Sequence, residues 1–161
     1  MERRISGIIV FLMLIAVAGC GATGSRFVRL DSKPDKAMVY IYRKSGFAGS
    51  AVKVNLFANG KYITQITNGG YYVYETNPGL IEFKETREVI PIFIVMYTIE
   101  KALEKQRPII SFEALPGQEY FFEFKLPNKI NRVSREEALE NLKNMQLFED
   151  KQAANQGATV Q

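Results

Sequence analysis

The sequence lacks histidine, contains one cysteine, Cys20, and has aspartate only at Asp31, Asp35 and Asp150. The absence of histidine removes the most frequent general base and the most frequent metal ligand of proteins. A single cysteine cannot form an internal disulfide, so packing must stabilise the fold. We therefore expect a protein that is not an enzyme, uses no cofactor and holds no metal.

A strong or clustered charge is also missing. The 21 basic and 17 acidic residues give a formal net charge of +4, and loss of residues 1–19 would leave 19 − 16 = +3. Proteins that bind nucleic acid usually carry a clustered basic stripe. We therefore expect no nucleic-acid partner.

The N-terminal apolar run is too short to cross a bilayer. Arg3 and Arg4 precede an uncharged segment, residues 5–18, which the small residues around Cys20 interrupt. A membrane-spanning helix needs about 20 apolar residues. A positive start, an apolar stretch of roughly 7–15 residues and small residues at the cut are instead typical of a secretory signal. The segment is thus predicted to be cleaved.

Residues 17–20, VAGC, resemble the lipobox of bacterial lipoproteins. By that resemblance Cys20 is the lipid attachment site, carries acyl chains such as palmitate and becomes the first mature residue. An ordinary signal followed by a buried cysteine, or a short apolar helix, are the alternatives. Two or three acyl chains anchor a protein stably, whereas one does not. Gly21 and Ala22 replace the aspartate of the inner-membrane retention signal, which favours the periplasmic face of the outer membrane.

The mature chain of 161 − 19 = 142 residues suits one domain with a single core. We predict a signal peptide over 1–19, a lipidated tether over 20–35, a β-sandwich domain over 36–149 and a disordered tail over 150–161.

Short apolar runs separated by turn residues predict a mainly β protein, an antiparallel β-sandwich of six to seven strands with one or two packed helices. Residues 38–42 are apolar on both faces, as in a central strand. Asn59-Gly60 predicts a type I′ hairpin. Residues 109–114 and 119–126 flank a Pro-Gly turn and predict another hairpin. Its core face would hold Tyr120, Phe122, Phe124 and Leu126.

Two segments depart from the β pattern. Residues 88–106 have apolar positions at helical spacing, which predicts a helix, although their β-branched residues favour a strand. Ser134 and Glu137 form a capping box that predicts a helix over 134–145. The apolar stretch 89–99 is either buried core or an exposed surface for a membrane or a protein.

The sequence contains a VYIYR strand at 39–43, a small-residue loop after it, Asn59-Gly60, Pro78-Gly79 and a later aromatic strand with Tyr120 and Phe122. Together these motifs resemble the domain family of unknown function DUF2846, found in bacterial lipoproteins and secreted proteins. The resemblance covers roughly residues 37–145. It implies the fold and offers no catalytic residues.

Aromatic residues give a second candidate contact surface. Alternation along a strand places Tyr71 on one face and Tyr72 and Tyr74 on the other. Exposed tyrosines could contact a ligand or a partner, or the C-terminal helix could cover them. Lys44 with Ser45 or Ser50 is the only loop pairing of serine and lysine for acyl transfer, and a plain solvated loop is the better explanation.

These features favour a membrane-anchored envelope lipoprotein that acts as a non-catalytic interaction or scaffolding module. Its expected partners are the membrane, through the N-terminal lipid, and an envelope protein or polymer. The alternative is a glycan- or lipid-binding module that uses the tyrosines or the 89–99 segment.

Overall fold

A computed structural model describes residues 22–87 and 108–148. They form two packed β-sheets and one helix, which confirms the predicted β-sandwich. The described residues contain nine strands, more than the six to seven predicted. The strands are β1 (Ala37–Arg43), β2 (Val54–Ala58), β3 (Lys61–Ile66), β4 (Gly70–Thr76), β5 (Gly79–Arg87), β6 (Ile110–Ala114), β7 (Glu119–Lys125), β8 (Lys129–Arg132) and β9 (Gln146–Leu147), and the helix is α1 (Arg135–Leu142).

The first sheet has the order β8-β7-β1-β4-β9 and the second β3-β2-β5-β6. All seven residues of β1 are buried, as expected for a central strand. β1 pairs antiparallel with β4 but parallel with β7, and β4 pairs parallel with β9. The first sheet is therefore mixed, which corrects the prediction of a wholly antiparallel sandwich.

The predicted hairpin of residues 109–114 and 119–126 is wrong. β6 pairs with β5 in the second sheet, whereas β7 pairs with β1 in the first. The turn between them bonds to the start of β1, because the Gly117 amide donates to the Lys36 carbonyl at 2.8 Å and the Met38 amide to Gln118 at 3.0 Å. The predicted core face is confirmed: Tyr120, Phe122 and Phe124 are buried between the sheets, and Leu126 packs against them.

The Asn59-Gly60 hairpin joins β2 and β3 as predicted. Both residues have the positive φ that a type I′ turn requires, 49° and 79°. The Asn59 side chain also ties the turn to β5. It donates to the Leu80 carbonyl at 3.0 Å and accepts from the Glu82 amide at 2.7 Å.

Helix α1 covers the outer face of the first sheet. Ser134 caps it, and its hydroxyl accepts from the Glu137 amide at 3.2 Å, as the capping box predicted. The helix ends three residues earlier than predicted, because the chain turns at Met145 and enters β9. A second apolar layer results beneath it. It contains Met38, Tyr40, Tyr42, Tyr71, Phe121, Ala138, Leu142 and Met145.

Residues 22–33, which we call the strap, belong to the range predicted as a tether and lie against the sandwich. The Gly24 amide donates to the Leu147 carbonyl and the Phe27 amide to that of Met145, both at 3.1 Å. Phe27 also packs edge-on against Tyr71, with ring centroids 5.2 Å apart. A composition rich in small and polar residues did not reveal these contacts.

The strands run between two opposite ends of the sandwich. We call one of them the entry end; it contains Ala22 and the segments 44–53, 67–69 and 126–128, which connect strands. Register places these segments together, since β1 ends beside the start of β4 and runs parallel to β7. The connections at the far end are 59–60, 77–78 and 115–118.

Some predictions fall outside the described residues. They are the signal peptide and Cys20, the helix over 88–106 with its apolar stretch 89–99, and the tail over 150–161.

Candidate functional site

The three candidate tyrosines of β4 separate, as strand alternation predicted. Tyr71 faces outward, is 4% exposed and lies among the residues beneath α1 and the strap. Its hydroxyl donates to the Arg26 carbonyl at 3.4 Å. Tyr72 and Tyr74 face the second sheet and stay partly exposed. Tyr71 is therefore buried and cannot contact a ligand, whereas Tyr72 and Tyr74 remain candidate contact residues.

Tyr62 of β3 joins Tyr72 and Tyr74 to line a cleft of about 460 Å³, which we call the tyrosine cleft. The cleft lies where the edge strands of the two sheets approach each other. β9 pairs only with the first two residues of β4, and in the described chain no strand covers the rest of that edge. The remaining lining residues are Lys36, Lys61, Ile63, Glu75, Thr76 and Asn77.

Packing fixes the tyrosine rings before any ligand arrives. Tyr74 lies edge-on against Phe83 of the core, with centroids 6.3 Å apart, and Tyr62 lies edge-on against Phe57 at 5.7 Å. Rigid aromatic rings provide contact area at a small cost in conformational entropy. The cleft is therefore a preformed aromatic surface.

The hydroxyl groups of the cleft are only partly satisfied. Burial, together with the neighbouring Tyr74, raises the pKa of Tyr72, so its phenol stays neutral and able to donate. Among the described residues the buried Tyr62 hydroxyl has no hydrogen-bond partner. Leaving a buried polar group unpaired costs about 1–3 kcal/mol, and a polar ligand that reached it would recover part of that cost.

Charges of both signs form the polar rim of the cleft. The Lys36 ammonium donates to the Asn77 side-chain oxygen at 2.6 Å, and Lys33 of the strap pairs with Glu75 at 2.9 Å. Lys61 is exposed at the start of β3. Aromatic rings beside amide and ammonium donors suit a polyhydroxylated ligand such as a glycan.

A second cavity, of about 540 Å³, lies between the strap and the start of α1. The Arg29 guanidinium binds Glu119 through Nε at 3.2 Å and Nη2 at 3.0 and 3.1 Å, and Arg135 lies 3.5 Å from the same carboxylate. Both guanidinium groups are therefore already paired with Glu119. Their arrangement attaches the strap to the sheet, since Arg29 belongs to the strap.

Lys44, the lysine of the Ser-Lys pairing considered from the sequence, pairs with a carboxylate. The Lys44 ammonium lies 3.5 Å from the carboxylate of Glu123, which Lys125 also approaches at 3.2 Å. The Ser50 amide closes a turn onto the Phe47 carbonyl at 3.2 Å.

Within 22–87 and 108–148 no cluster of metal-ligating side chains occurs. The same ranges contain no helix of the length and apolarity that a membrane crossing needs.

Arg43, the last residue of the VYIYR strand, holds the connecting segment 44–53 in place. Its guanidinium is buried and donates to the carbonyls of Val52 and Gly49, both at 2.7 Å. Burial lowers the pKa of Arg43, yet a guanidinium stays charged throughout the physiological range. The sequence motif marked this residue, but only the structure shows that it shapes the adjoining loop.

Residues 33–137 match the family described as "Protein of unknown function (DUF2846)", which is 105 of the 161 residues. The match begins within the strap, includes the whole tyrosine cleft and ends inside α1. A search of curated proteins found no match to the sequence.

Proposed function

Because the chain belongs to the DUF2846 family, whose description assigns no activity, we propose a function from its own residues: a bacterial envelope lipoprotein, acylated at Cys20, whose sandwich is a non-catalytic interaction module. The membrane, through the lipid, and an envelope protein or polymer are its partners. The proposed site of residence is the periplasmic face of the outer membrane.

The observation that carries this proposal is the position of VAGC. It ends the apolar N-terminal run, and two residues after Cys20 the Ala22 amide already bonds to the Asn68 carbonyl of the sandwich at 3.1 Å. A cut before Cys20 would remove the apolar segment and leave the strap and the sandwich in the mature protein. Acylation there would retain at the membrane a chain that has lost its only N-terminal apolar run.

Metabolic labelling with an alkyne fatty acid in a Gram-negative host tests the acylation. The wild-type protein should carry the label and fractionate with membranes, whereas Cys20→Ser should lose the label and appear in the soluble periplasmic fraction. The double variant Cys20→Ser/Ser25→Cys is the matched control, because it restores a thiol outside the VAGC position. Label on either variant would contradict the assignment.

In-cell photo-crosslinking tests the interaction module. Probes at the exposed far-end residues Leu80 and Leu115, which are 57% and 54% exposed, should capture a recurrent envelope partner. A probe at Ser45 of the entry end serves for comparison. Absence of any recurrent product, together with turnover of a substrate by the purified protein, would refute a non-catalytic module.

The tyrosine cleft favours a second candidate function, a glycan- or lipid-binding module. Tyr72→Ala removes a cleft ring, whereas Tyr71→Phe changes a ring on the opposite face of the same strand. Loss of a central aromatic contact typically weakens binding by about 2 kcal/mol or more, roughly 30-fold. Titrations with soluble peptidoglycan fragments and with phospholipid micelles identify the ligand. Equal binding by wild type and Tyr72→Ala would exclude the cleft as the site.

A further inference from the structure

Phe47 is 93% exposed, more than any other large apolar side chain of the described chain. Its backbone is nevertheless held: its carbonyl accepts from the Ser50 amide, and Arg43 bonds to Gly49 and Val52 in the same segment. Hydrogen bonds thus hold the backbone of the loop, while the Phe47 ring is exposed to solvent. A phenylalanine side chain left in water lacks the stabilisation of about 1.5–3 kcal/mol that burial would give. An exposed ring on a held loop is therefore suited to contact with an apolar phase.

Phe47 lies at the entry end, where the described chain begins. Asn68 bonds to both segments: its carbonyl accepts from the Ala22 amide at 3.1 Å, and its side-chain oxygen accepts from the Gly46 amide at 3.0 Å. Cys20 precedes Ala22 by two residues, and two residues of chain span at most about 8 Å. A lipid on Cys20 would therefore hold this end of the sandwich at the bilayer.

The same end exposes five lysines. Lys44 and Lys125 flank the buried carboxylate of Glu123, Lys53 and Lys129 stand at the starts of β2 and β8, and Lys143 pairs with Glu140 at the end of α1. The charges at the far end are more evenly mixed. They include Asp31, Asp35 and Glu75 beside Lys33, Lys36 and Lys61. Basic side chains around an exposed aromatic ring complement an anionic lipid surface.

We propose that the entry end is a membrane-contact face: Phe47 inserts into the interface of an anionic bilayer, and Lys53 and Lys129 bind headgroup phosphates. This inference rests on the proposed acylation of Cys20. The lipid supplies the attachment, and the protein contact supplies the orientation, since a domain held by lipid alone can tumble. Once tethered, even a weak second contact is engaged because its effective concentration is high.

Tryptophan fluorescence tests the insertion directly, because the chain contains no tryptophan. Phe47→Trp and Leu80→Trp each create a single fluorophore, the first at the entry end and the second at the far end. The full lipidated proteins are reconstituted into vesicles made mostly of phosphatidylethanolamine with a minority of anionic phosphatidylglycerol. The fluorescence of the Phe47→Trp protein should shift to shorter wavelength and be quenched by brominated lipids, whereas the Leu80→Trp protein should show neither effect.

Vesicle binding by the unlipidated Cys20→Ser chain tests the charges. Lys53→Gln and Lys129→Gln are chosen because Lys44 and Lys125 pair with Glu123. Each should weaken binding to the same anionic vesicles about fivefold. Lys84→Gln in β5, outside both the entry end and the tyrosine cleft, is the control and should leave binding unchanged. Pure phosphatidylcholine vesicles should bind the chain far more weakly.

The outcomes separate the two proposals. If the fatty-acid label is absent from Cys20, the acylation fails, and the vesicle assay still decides whether the face binds lipid. If the label is present but brominated lipid does not quench the Phe47→Trp protein, or quenches the Leu80→Trp protein equally, the membrane-contact face is refuted. Shielding of the entry-end fluorophore by a protein, seen as a blue shift without lipid quenching, would refute it as well.

Discussion

Phe27→Ala is expected to release the strap from the sandwich without unfolding the sheets. Phe27 is half-buried, and its ring contacts Tyr71 at 5.2 Å and Tyr40 at 6.2 Å, both edge-on. No other described strap side chain is aromatic. If the strap is a docked element, this ring should account for much of its docking free energy.

The size of the effect follows from two contributions. Burying a whole phenylalanine stabilises by about 1.5–3 kcal/mol, so a half-buried ring contributes roughly half of that. Each aromatic pair adds about 0.5–1.5 kcal/mol, but two pairs that share one ring are not additive. We expect a loss of about 2–3 kcal/mol, which corresponds to roughly 30- to 150-fold faster opening-limited exchange.

Hydrogen–deuterium exchange with mass spectrometry measures this opening. The amides of Gly24 and Phe27, which bond to Leu147 and Met145, should exchange faster by that factor, while those of β1 remain protected. Val28→Ala is the matched control, because Val28 is 66% exposed and its loss should change stability by less than about 0.5 kcal/mol. Unchanged exchange in Phe27→Ala would refute the docked strap, and equal acceleration in Val28→Ala would refute the assigned cause.

Three further outcomes are expected in urea unfolding. Ser134→Ala should cost about 1 kcal/mol through the lost α1 cap. Asn59→Ala should cost about 2–3 kcal/mol, because it forfeits two hydrogen bonds and a residue suited to positive φ, whereas Asn59→Gly should lose only the bonds. Burial raises the pKa of Tyr42 to about 12, so its neutral phenol stabilises the fold below the ordinary value near 10 and that contribution disappears as the pH rises toward 12. Tyr42→Phe should flatten this alkaline loss, and an unaltered pH profile would contradict the assignment.

Sequence patterns predicted the parts of the fold that neighbouring residues determine. The Asn59-Gly60 turn follows from the tolerance of both residues for positive φ. The α1 cap follows from a side chain three residues before its partner. The core face of β7 follows from alternation, which sends Tyr120 and Phe122 into the space between the sheets.

Features that depend on distant residues could not be predicted in this way. The Pro-Gly turn after β6 looks the same whether its two strands pair or separate, and here the parallel pairing of β7 with β1 separates them. The tyrosine cleft needs Tyr62, which is ten residues from Tyr72 and becomes its neighbour only where β3 meets β4. The strap was predicted as a tether from its small and polar composition, because its docking depends on Tyr71, which is distant in sequence.

The distance between the two ends determines whether membrane contact at the entry end would interfere with ligand binding in the tyrosine cleft. β1 has seven residues, and at about 3.3 Å per residue it sets the entry end roughly 20 Å from the far half, where Lys36, Lys61 and Asn77 border the tyrosine cleft. The Debye length under physiological conditions is about 8 Å. A bilayer held at the entry end would thus exert little of its negative field on these three residues, whereas Tyr72, which pairs with Ile41 near the end of β1, lies closer to it. An anionic glycan could bind beside those three residues without repulsion from the leaflet that anchors the protein, whereas a cleft beside Phe47 would be crowded by lipid.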